Sequence, residues 1–317
     1  MKYSFLSLAF CAFTLTGCGA SVNDASSSTT DSPTTASQTE TAKSIVTSFY
    51  PLAFMVEEIV KDKAQVTNLA GASDVHDYEP SPQDIVKLNE ADLVVYQGAS
   101  LEIWAENIMP TLEGEVLEVS QNLELTKFEN HESHHDEEAH DEHNHGEYDP
   151  HTWLDPVLAT QMVEAITNAI INIDPDNQAF YQVNANALKK RFTTLAENFE
   201  NELNQCATRE VIVSHGAYGY LAQRYNFEMH AIAGLSTQDE PSAQILAELK
   251  DEAAEGLTHL LIEENNVRRF AETLAVETGL AVLPINPLSQ GTLDPNKDFF
   301  DVMEENLQSF KTALNCQ

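Results

Sequence analysis

The sequence is poor in basic residues and in cysteine, and each shortage limits what the protein can be. It has 16 lysines and arginines against 51 aspartates and glutamates, a formal net charge of -35. That balance argues against binding to nucleic acid, and against attachment to anionic lipid through a basic face. It suits a soluble protein that attracts cations. A hydrophobic fraction of 42% over 317 residues is enough for about two ordinary domains.

Long apolar runs are also scarce, and the one at the amino terminus is too short to span a membrane. Residues 5–15 are apolar and lead into Leu15-Thr16-Gly17-Cys18. A basic start, a short apolar run and a small-residue site are typical of a secretory signal. The site resembles the bacterial lipoprotein signal, whose cysteine becomes acylated. This resemblance implies a signal peptide at residues 1–17 and lipid on Cys18, and an ordinary signal peptide is the alternative.

The sequence has only four cysteines, and the first two belong to this targeting segment. Cys11 would leave with the signal and Cys18 would carry the lipid, which leaves Cys206 and Cys316. Two cysteines in an exported chain can pair in only one way, and the compartment permits the bond. We therefore predict a disulfide that joins the carboxyl terminus to the start of the second half. The serine- and threonine-rich composition of residues 18–42 predicts a flexible tether.

Apolar runs with β-branched residues alternate with helical patterns along the rest of the chain. This alternation predicts βαβ units and parallel sheets in an α/β fold. Residues 176–205 carry apolar residues at helical intervals over a length that exceeds that of an ordinary globular helix. We predict two similar lobes, at residues 43–175 and 206–317, joined by this helix with a cleft between them. Ligands of open α/β sheets bind beyond the carboxyl ends of the strands.

Six of the eleven histidines lie in one acidic stretch, residues 129–147. The stretch has too few apolar residues to fold and reads as a loop of the first lobe. Neutral imidazole is the most common transition-metal ligand and suits zinc, copper and nickel. The composition predicts an accessory metal-binding loop, and a solvated loop without that role is the alternative. Its histidines are His131, His134, His135, His140, His143 and His145.

The other five histidines fall into two groups. His230 and His259 lie within apolar strand patterns, so they are interpreted as structural. His76, His151 and His215 lie in loops or at strand ends, where a rigid scaffold presents functional side chains. Taken singly, a histidine in such a position is more often structural than a ligand.

The segments around these three histidines resemble the metal motifs of the zinc and manganese solute-binding proteins of ABC importers, the ZnuA-like cluster A-I family. The three motifs are His76-Asp77-Tyr78-Glu79-Pro80-Ser81-Pro82-Gln83-Asp84, Asp149-Pro150-His151-Thr152-Trp153-Leu154-Asp155-Pro156 and Val213-Ser214-His215-Gly216-Ala217-Tyr218-Gly219-Tyr220. The resemblance runs from about residue 44 to the end, and the acidic loop resembles the zinc branch in particular. It implies two α/β lobes bridged by one long helix, with a metal between them on His76, His151 and His215.

The resemblance also implies a function. The protein is expected to be exported, periplasmic or at the cell surface, anchored by lipid, and monomeric. It would bind Zn²⁺ with high affinity and deliver it to a membrane permease and its ATPase. A neutral set of three nitrogen ligands favours zinc over manganese, which prefers oxygen. A manganese carrier, a zinc buffer or adhesin, and a zinc hydrolase are the alternatives. An enzyme is not expected, because no predicted helix carries an HExxH motif and no glutamate lies at general-base spacing.

The fourth ligand is where this sequence departs from the family pattern. Many members have an aspartate at the position of Asn286, and some have a glutamate at the position of Ser289. Neither carboxylate is present here. Three histidines and a water would still complete a tetrahedral zinc site. Glu79 and Asn286 are the candidates for a fourth ligand or for a residue that supports the ligands.

Overall fold

The same order of strands and helices occurs twice along the chain, once on each side of the longest helix. The computed structural model describes residues 42–127, 148–235, 242–254, 256–263, 268–291 and 294–317. The strands are β1 Lys43–Thr47, β2 Ala64–Asn68, β3 Leu93–Tyr96, β4 Glu115–Glu118, β5 Glu210–His215, β6 Glu228–Ala233, β7 His259–Ile262 and β8 Ala281–Pro284. The helices are α1 Tyr50–Val60, α2 Pro82–Glu90, α3 Ala105–Ile108, α4 Pro156–Ile173, α5 Gln178–Leu203, α6 Gly219–Tyr225, α7 Ala243–Ala254, α8 Arg268–Thr278 and α9 Phe299–Ala313.

Each lobe contains a four-stranded sheet in which every pairing is parallel. The strand orders are β2-β1-β3-β4 in the first lobe and β6-β5-β7-β8 in the second, so the two sheets have the same topology. The predicted α/β fold with two parallel sheets is confirmed. In such sheets the chain leaves the two central strands in opposite directions, which opens a crevice at their carboxyl ends. That crevice lies after β1 and β3 in one lobe and after β5 and β7 in the other.

Helix starts follow capping rules that are visible in the sequence. Ser81 caps α2: its hydroxyl accepts from the Asp84 N–H, and Asp84 accepts in return from the Ser81 N–H, with Pro82 at the first helical position. Asp155 caps α4 by accepting from the N–H groups of Val157 and Leu158. Each cap satisfies backbone donors that the first helical turn leaves without a partner. The caps therefore fix where the chain turns back from the cleft.

Helix α5 joins the two lobes through one continuous core. Its buried side chains recur every three or four residues, so a single stripe faces inward. They are Tyr181, Ala185, Leu188, Phe192, Leu195, Phe199 and Leu203. The stripe packs against α1 and α4 from the first lobe and against α9 from the second. The helix thus lies within the range predicted for the connector, residues 176–205, and its apolar face belongs to both lobes.

One helix is shorter than its sequence pattern predicts. Residues 101–108 have apolar spacing typical of a helix, but α3 begins only at Ala105. Ala99 and Ser100 both have positive φ angles, 51° and 63°, which turn the chain. The buried Glu102 carboxylate accepts from the N–H groups of Gln97 and Gly98, which holds this turn against β3. The side chain–backbone bonds compete successfully with the first helical turn.

Cys206 and Cys316 form a disulfide, as predicted. The bond lies after α5 and after α9, and flanking backbone hydrogen bonds join Ala207 to Asn315 and Gln317 to Gln205. Within the described ranges we find no helix whose length and apolar character would allow it to cross a membrane. The predicted signal peptide, Cys18 and the six loop histidines lie outside the described residues, as does nearly all of the predicted tether.

Candidate metal centre

Three histidines from three separate segments meet between the lobes. His76 lies in the loop after β2, His151 lies in the turn before α4, and His215 is the last residue of β5. One nitrogen from each ring lies within 4.8 Å of the other two. His151 and His215 are fully buried, whereas His76 is half-buried. The structure therefore brings together the three histidines that the sequence motifs single out.

His76 and His151 are positioned by the same local motif, an aspartate two residues earlier. The Asp74 carboxylate accepts from the His76 N–H at 3.1 Å, and the Asp149 carboxylate accepts from the His151 N–H at 2.9 Å. Aspartate commonly bonds its own backbone two residues on, which makes a tight turn. Each turn fixes the direction in which its histidine leaves the backbone.

The ring of His151 is held in the orientation that a metal ligand needs. Its Nδ1 lies 2.8 Å from Asp149 Oδ1, and burial, followed by the charge of His215, holds the pKa of His151 well below its ordinary value. The ring is therefore neutral, with Nδ1–H donating to Asp149 and a lone pair on Nε2. That Nε2 lies 3.3 Å from Nε2 of His76. Tetrahedral zinc with bonds of about 2.05 Å separates two nitrogen ligands by about 3.3 Å.

Asp149 is itself enclosed by the second lobe. Burial raises the pKa of Asp149 to about 7, although the His151 N–H and the charge of His215 oppose that rise. A Cβ at Gly219 would lie 2.7 Å from Asp149 Oδ2, so any larger residue there would force the carboxylate to shift. The Tyr220 hydroxyl donates to the Asp149 carbonyl at 2.6 Å. The start of α6 therefore closes over the aspartate that orients His151.

His215 is held between a carboxylate and a backbone carbonyl of its own lobe. Its Nδ1 lies 3.3 Å from Glu263 Oε2, and its Nε2 lies 2.9 Å from the Leu235 carbonyl. Glu263 is 2% exposed and follows β7, where its N–H donates to the Ser214 hydroxyl. Burial alone would lower the pKa of His215, but the charge and hydrogen bond of Glu263 and the Leu235 carbonyl outweigh it and raise the pKa.

Two further contacts close the lobes on either side of the histidines. The indole N–H of Trp153 donates to the Pro287 carbonyl at 2.7 Å, and the two side chains of Arg224 and Asp155 pair at 2.6 Å. Trp153 is fully buried, and its ring centroid lies 5.2 Å from that of His151. Its fluorescence should therefore report on events at the site.

The two candidates for a fourth ligand lie differently. Glu79 is exposed and is not part of the three-histidine group. The side-chain oxygen of Asn286 accepts from the Leu288 N–H at 2.7 Å, so it shapes the turn after β8. His230 and His259, interpreted as structural, lie outside the group as well: His230 faces Glu252, and His259 contacts the Thr258 hydroxyl.

Three carboxylates were missed by sequence reasoning: Asp74, Asp149 and Glu263. The first two carried a detectable signal, because an Asp-x-His pattern occurs at both His76 and His151. Glu263 carried none, because it lies 48 residues from His215 and only the pairing of β5 with β7 brings them together.

Two parallel α/β lobes around one long helix, with a buried histidine cluster in the cleft, define a metal-binding solute-binding protein. The chain belongs to the family described as zinc-uptake complex component A, periplasmic (ZnuA), whose family model matches residues 45–313. It is 36% identical over 277 residues to the high-affinity zinc uptake system protein ZnuA of Bacillus subtilis, covering 85% of this chain and 87% of that protein.

Two pneumococcal comparisons agree with this membership. The chain is 32% identical over 280 residues to the zinc-binding lipoprotein AdcA of Streptococcus pneumoniae, covering 86% of this chain but only 56% of AdcA. It therefore spans about half the length of that relative. The crystal structure of the Zn(II)-bound ZnuA-like domain of AdcA superposes with a TM-score of 0.72 at 30% identity, covering 87% of this chain and 100% of the domain.

Proposed function

We propose that this protein is the zinc-binding component of an ABC importer, which captures Zn²⁺ outside the cytoplasmic membrane and delivers it to a permease and its ATPase. The observation that carries this proposal is the cluster of His76, His151 and His215 between the lobes of a ZnuA-family fold. Nitrogen ligands without a carboxylate in the group favour zinc over manganese. The names of the relatives, a zinc uptake protein and a zinc-binding lipoprotein, agree with zinc as cargo.

Capture depends on how each ring presents its lone pair. His151 is already neutral with Nε2 directed at His76, so this pair needs little rearrangement. Glu263 holds Nδ1 of His215, which leaves Nε2 for the metal. When Nε2 of His215 binds zinc, it gives up its hydrogen bond to the Leu235 carbonyl. A water is the fourth ligand in this proposal, because a tetrahedral zinc needs four donors and the group supplies three.

The contacts of the carboxylates near the histidine group support zinc binding without catalysis. An open water position on three histidines is also the layout of catalytic zinc, which needs a general base beside that water. Of the three buried carboxylates near the group, Asp149 and Glu263 each contact a histidine ring, and Asp74 accepts from the His76 N–H. These contacts support a role in orienting ligands. We accordingly propose that the zinc-loaded protein turns over neither esters nor peptides.

Two parts of the proposal concern residues outside the described ranges. Cys18 is the proposed point of lipid attachment, which agrees with the name of the AdcA relative as a lipoprotein. Residues 129–147 are the proposed accessory loop, which raises the rate of capture. Its carboxylates favour the protonated form of its histidines, and a protonated ring does not bind zinc. The contacts of the loop with zinc are therefore weak and do not set the affinity.

The decisive experiment titrates Zn²⁺ and Mn²⁺ in competition into protein that lacks residues 1–42. A second variant also lacks residues 129–147, and a third keeps this loop with its six histidines replaced by glutamine. We expect one tight zinc site in all three proteins, and manganese should not displace the zinc. Loss of tight binding in both loop variants would show that the loop, and not the histidine cluster, is the site.

Zinc affinity should fall in acid because protons compete for His215. Its raised pKa means that this ring is protonated at a higher pH than an ordinary histidine, whereas His151 stays neutral. Below the pKa of His215, each pH unit should weaken binding by at least about tenfold, since at least the His215 proton must leave for zinc to bind. Above that pKa, affinity should change little with pH.

Calorimetric titration at several pH values, in buffers of different protonation enthalpy, measures both the affinity and the protons released. The variant His259→Gln is the control, because this histidine lies outside the group. An affinity that stays constant between neutral pH and about pH 5 would rule out histidine nitrogens as the ligands.

A further inference from the structure

The aspartates that precede His76 and His151 use their second oxygen atoms differently. Oδ2 of Asp149 packs against Gly219. Oδ2 of Asp74 reaches across the cleft and accepts two hydrogen bonds, from the Ser289 hydroxyl at 3.1 Å and from the Gln290 side-chain amide at 3.0 Å. The adjacent Val75 N–H donates to the Ser289 carbonyl at 3.3 Å. Asp74 therefore binds its own histidine turn and the opposite lobe at once.

The loop that Asp74 contacts is rigidly built. Leu288 has a positive φ of 63°, a conformation unfavourable for a branched side chain, and it is stabilised by the bond from its N–H to Asn286. Asn306 on α9 bonds both backbone groups of Asn286, donating to its carbonyl at 2.7 Å and accepting from its N–H at 2.9 Å. The loop thus moves with α9 and the second lobe.

These contacts lie where little water reaches them. Asp74 is 7% exposed and Ser289 is 2% exposed. Hydrogen bonds to an ionised carboxylate are about twice as strong as neutral ones, and a low local dielectric strengthens them further. Separating the lobes here would exchange these two hydrogen bonds for bonds to water and lose the extra strength that ionisation and burial give them.

His76 is the most exposed of the three histidines. It is half-buried, whereas His151 and His215 are fully buried. Movement of the His76 loop away from the second lobe opens the site to solvent, and Asp74 is the side chain that holds this loop in place.

We propose that Asp74 is a positioning residue that ties the His76 loop to the second lobe and thereby sets the rate at which zinc is released. This inference rests on the zinc-carrier function proposed above. Asp74 does not bind the metal: its two oxygen atoms serve the His76 N–H and the donors on Ser289 and Gln290.

The test measures zinc release in the full-length protein by stopped flow, with excess chelator and Trp153 fluorescence as the signal. The variants are Asp74→Asn, the double variant Ser289→Ala/Gln290→Ala, and the combination of the three. Asp62→Asn is the control, because it removes an exposed carboxylate that is not part of the histidine group. We expect the first two variants to release zinc about 10- to 100-fold faster, the usual effect of removing a residue that supports a ligand.

The triple variant shows whether Asp74 acts through Ser289 and Gln290 or independently of them. If Asp74 acts through Ser289 and Gln290, the triple variant releases zinc no faster than Asp74→Asn alone. The inference would be overturned if the triple variant released zinc faster by the product of the two separate increases. It would also be overturned if Ser289→Ala/Gln290→Ala released zinc at the wild-type rate. Either result would leave the proposed zinc-carrier function standing. The double variant removes only small polar groups from the second lobe, so it decides the question even where Asp74→Asn disturbs folding. A wild-type protein that retains no zinc would instead overturn the proposed function.

Discussion

Replacing His76 with alanine is expected to weaken zinc binding by more than about 100-fold while leaving the metal-free protein folded. Loss of a residue that only supports a ligand costs 10- to 100-fold, so loss of a direct ligand should cost more. His76 is half-buried and lies in a loop, so its removal opens no cavity in the core. The same loss is expected for His151→Ala and His215→Ala, whose rings are buried against Asp149 and Glu263.

Competition against a chelator of known affinity measures these changes, and thermal unfolding of the metal-free variants measures their stability. His259→Gln should bind zinc like the wild type, since that ring lies outside the cluster. His151→Ala and His215→Ala should also unfold more easily, because each leaves a buried carboxylate without its partner. Tight zinc binding that survives in His76→Ala and in His215→Ala would show that the cluster is not the site.

The fold was predictable because its signals are local and repeated. Parallel strands buried on both faces give continuous apolar runs, and these alternate with amphipathic helices whose starts carry caps such as Ser81. The long connecting helix was visible in its apolar spacing. Residues 101–108 were less predictable, because Glu102 bonds to backbone groups that precede it and shortens the helix.

The histidine cluster was predictable only through motifs, since spacing alone cannot show that residues 76, 151 and 215 meet. The residues that support the cluster were harder to find, because their contacts cross between strands or lobes. Ser289 was considered only for the carboxylate that it lacks, yet its hydroxyl donates to Asp74, 215 residues away in the sequence. Local pattern identifies such a residue as part of a loop and says nothing about its partner.

Removing the disulfide is expected to lower the free energy of unfolding by about 2 to 5 kcal/mol without changing zinc affinity. Cys206 and Cys316 are 110 residues apart, so the bond closes a long loop and removes much entropy from the unfolded chain. For a protein of this size, the melting temperature should fall by roughly 3 to 9 °C. The variant Cys206→Ser/Cys316→Ser is compared with the wild type, with and without reductant.

The two halves of this prediction follow from where the bond lies. Cys206 precedes the amino end of β5, whereas His215 is the last residue of that strand. At 3.3 Å per residue, the two ends of β5 are about 16 Å apart. Unfolding must be measured on metal-free protein, because bound zinc stabilises the folded state and would mask the loss. Identical unfolding curves would mean that the bond contributes nothing to stability. A fall in zinc affinity would mean that the bond also positions β5, and with it the His215 ligand.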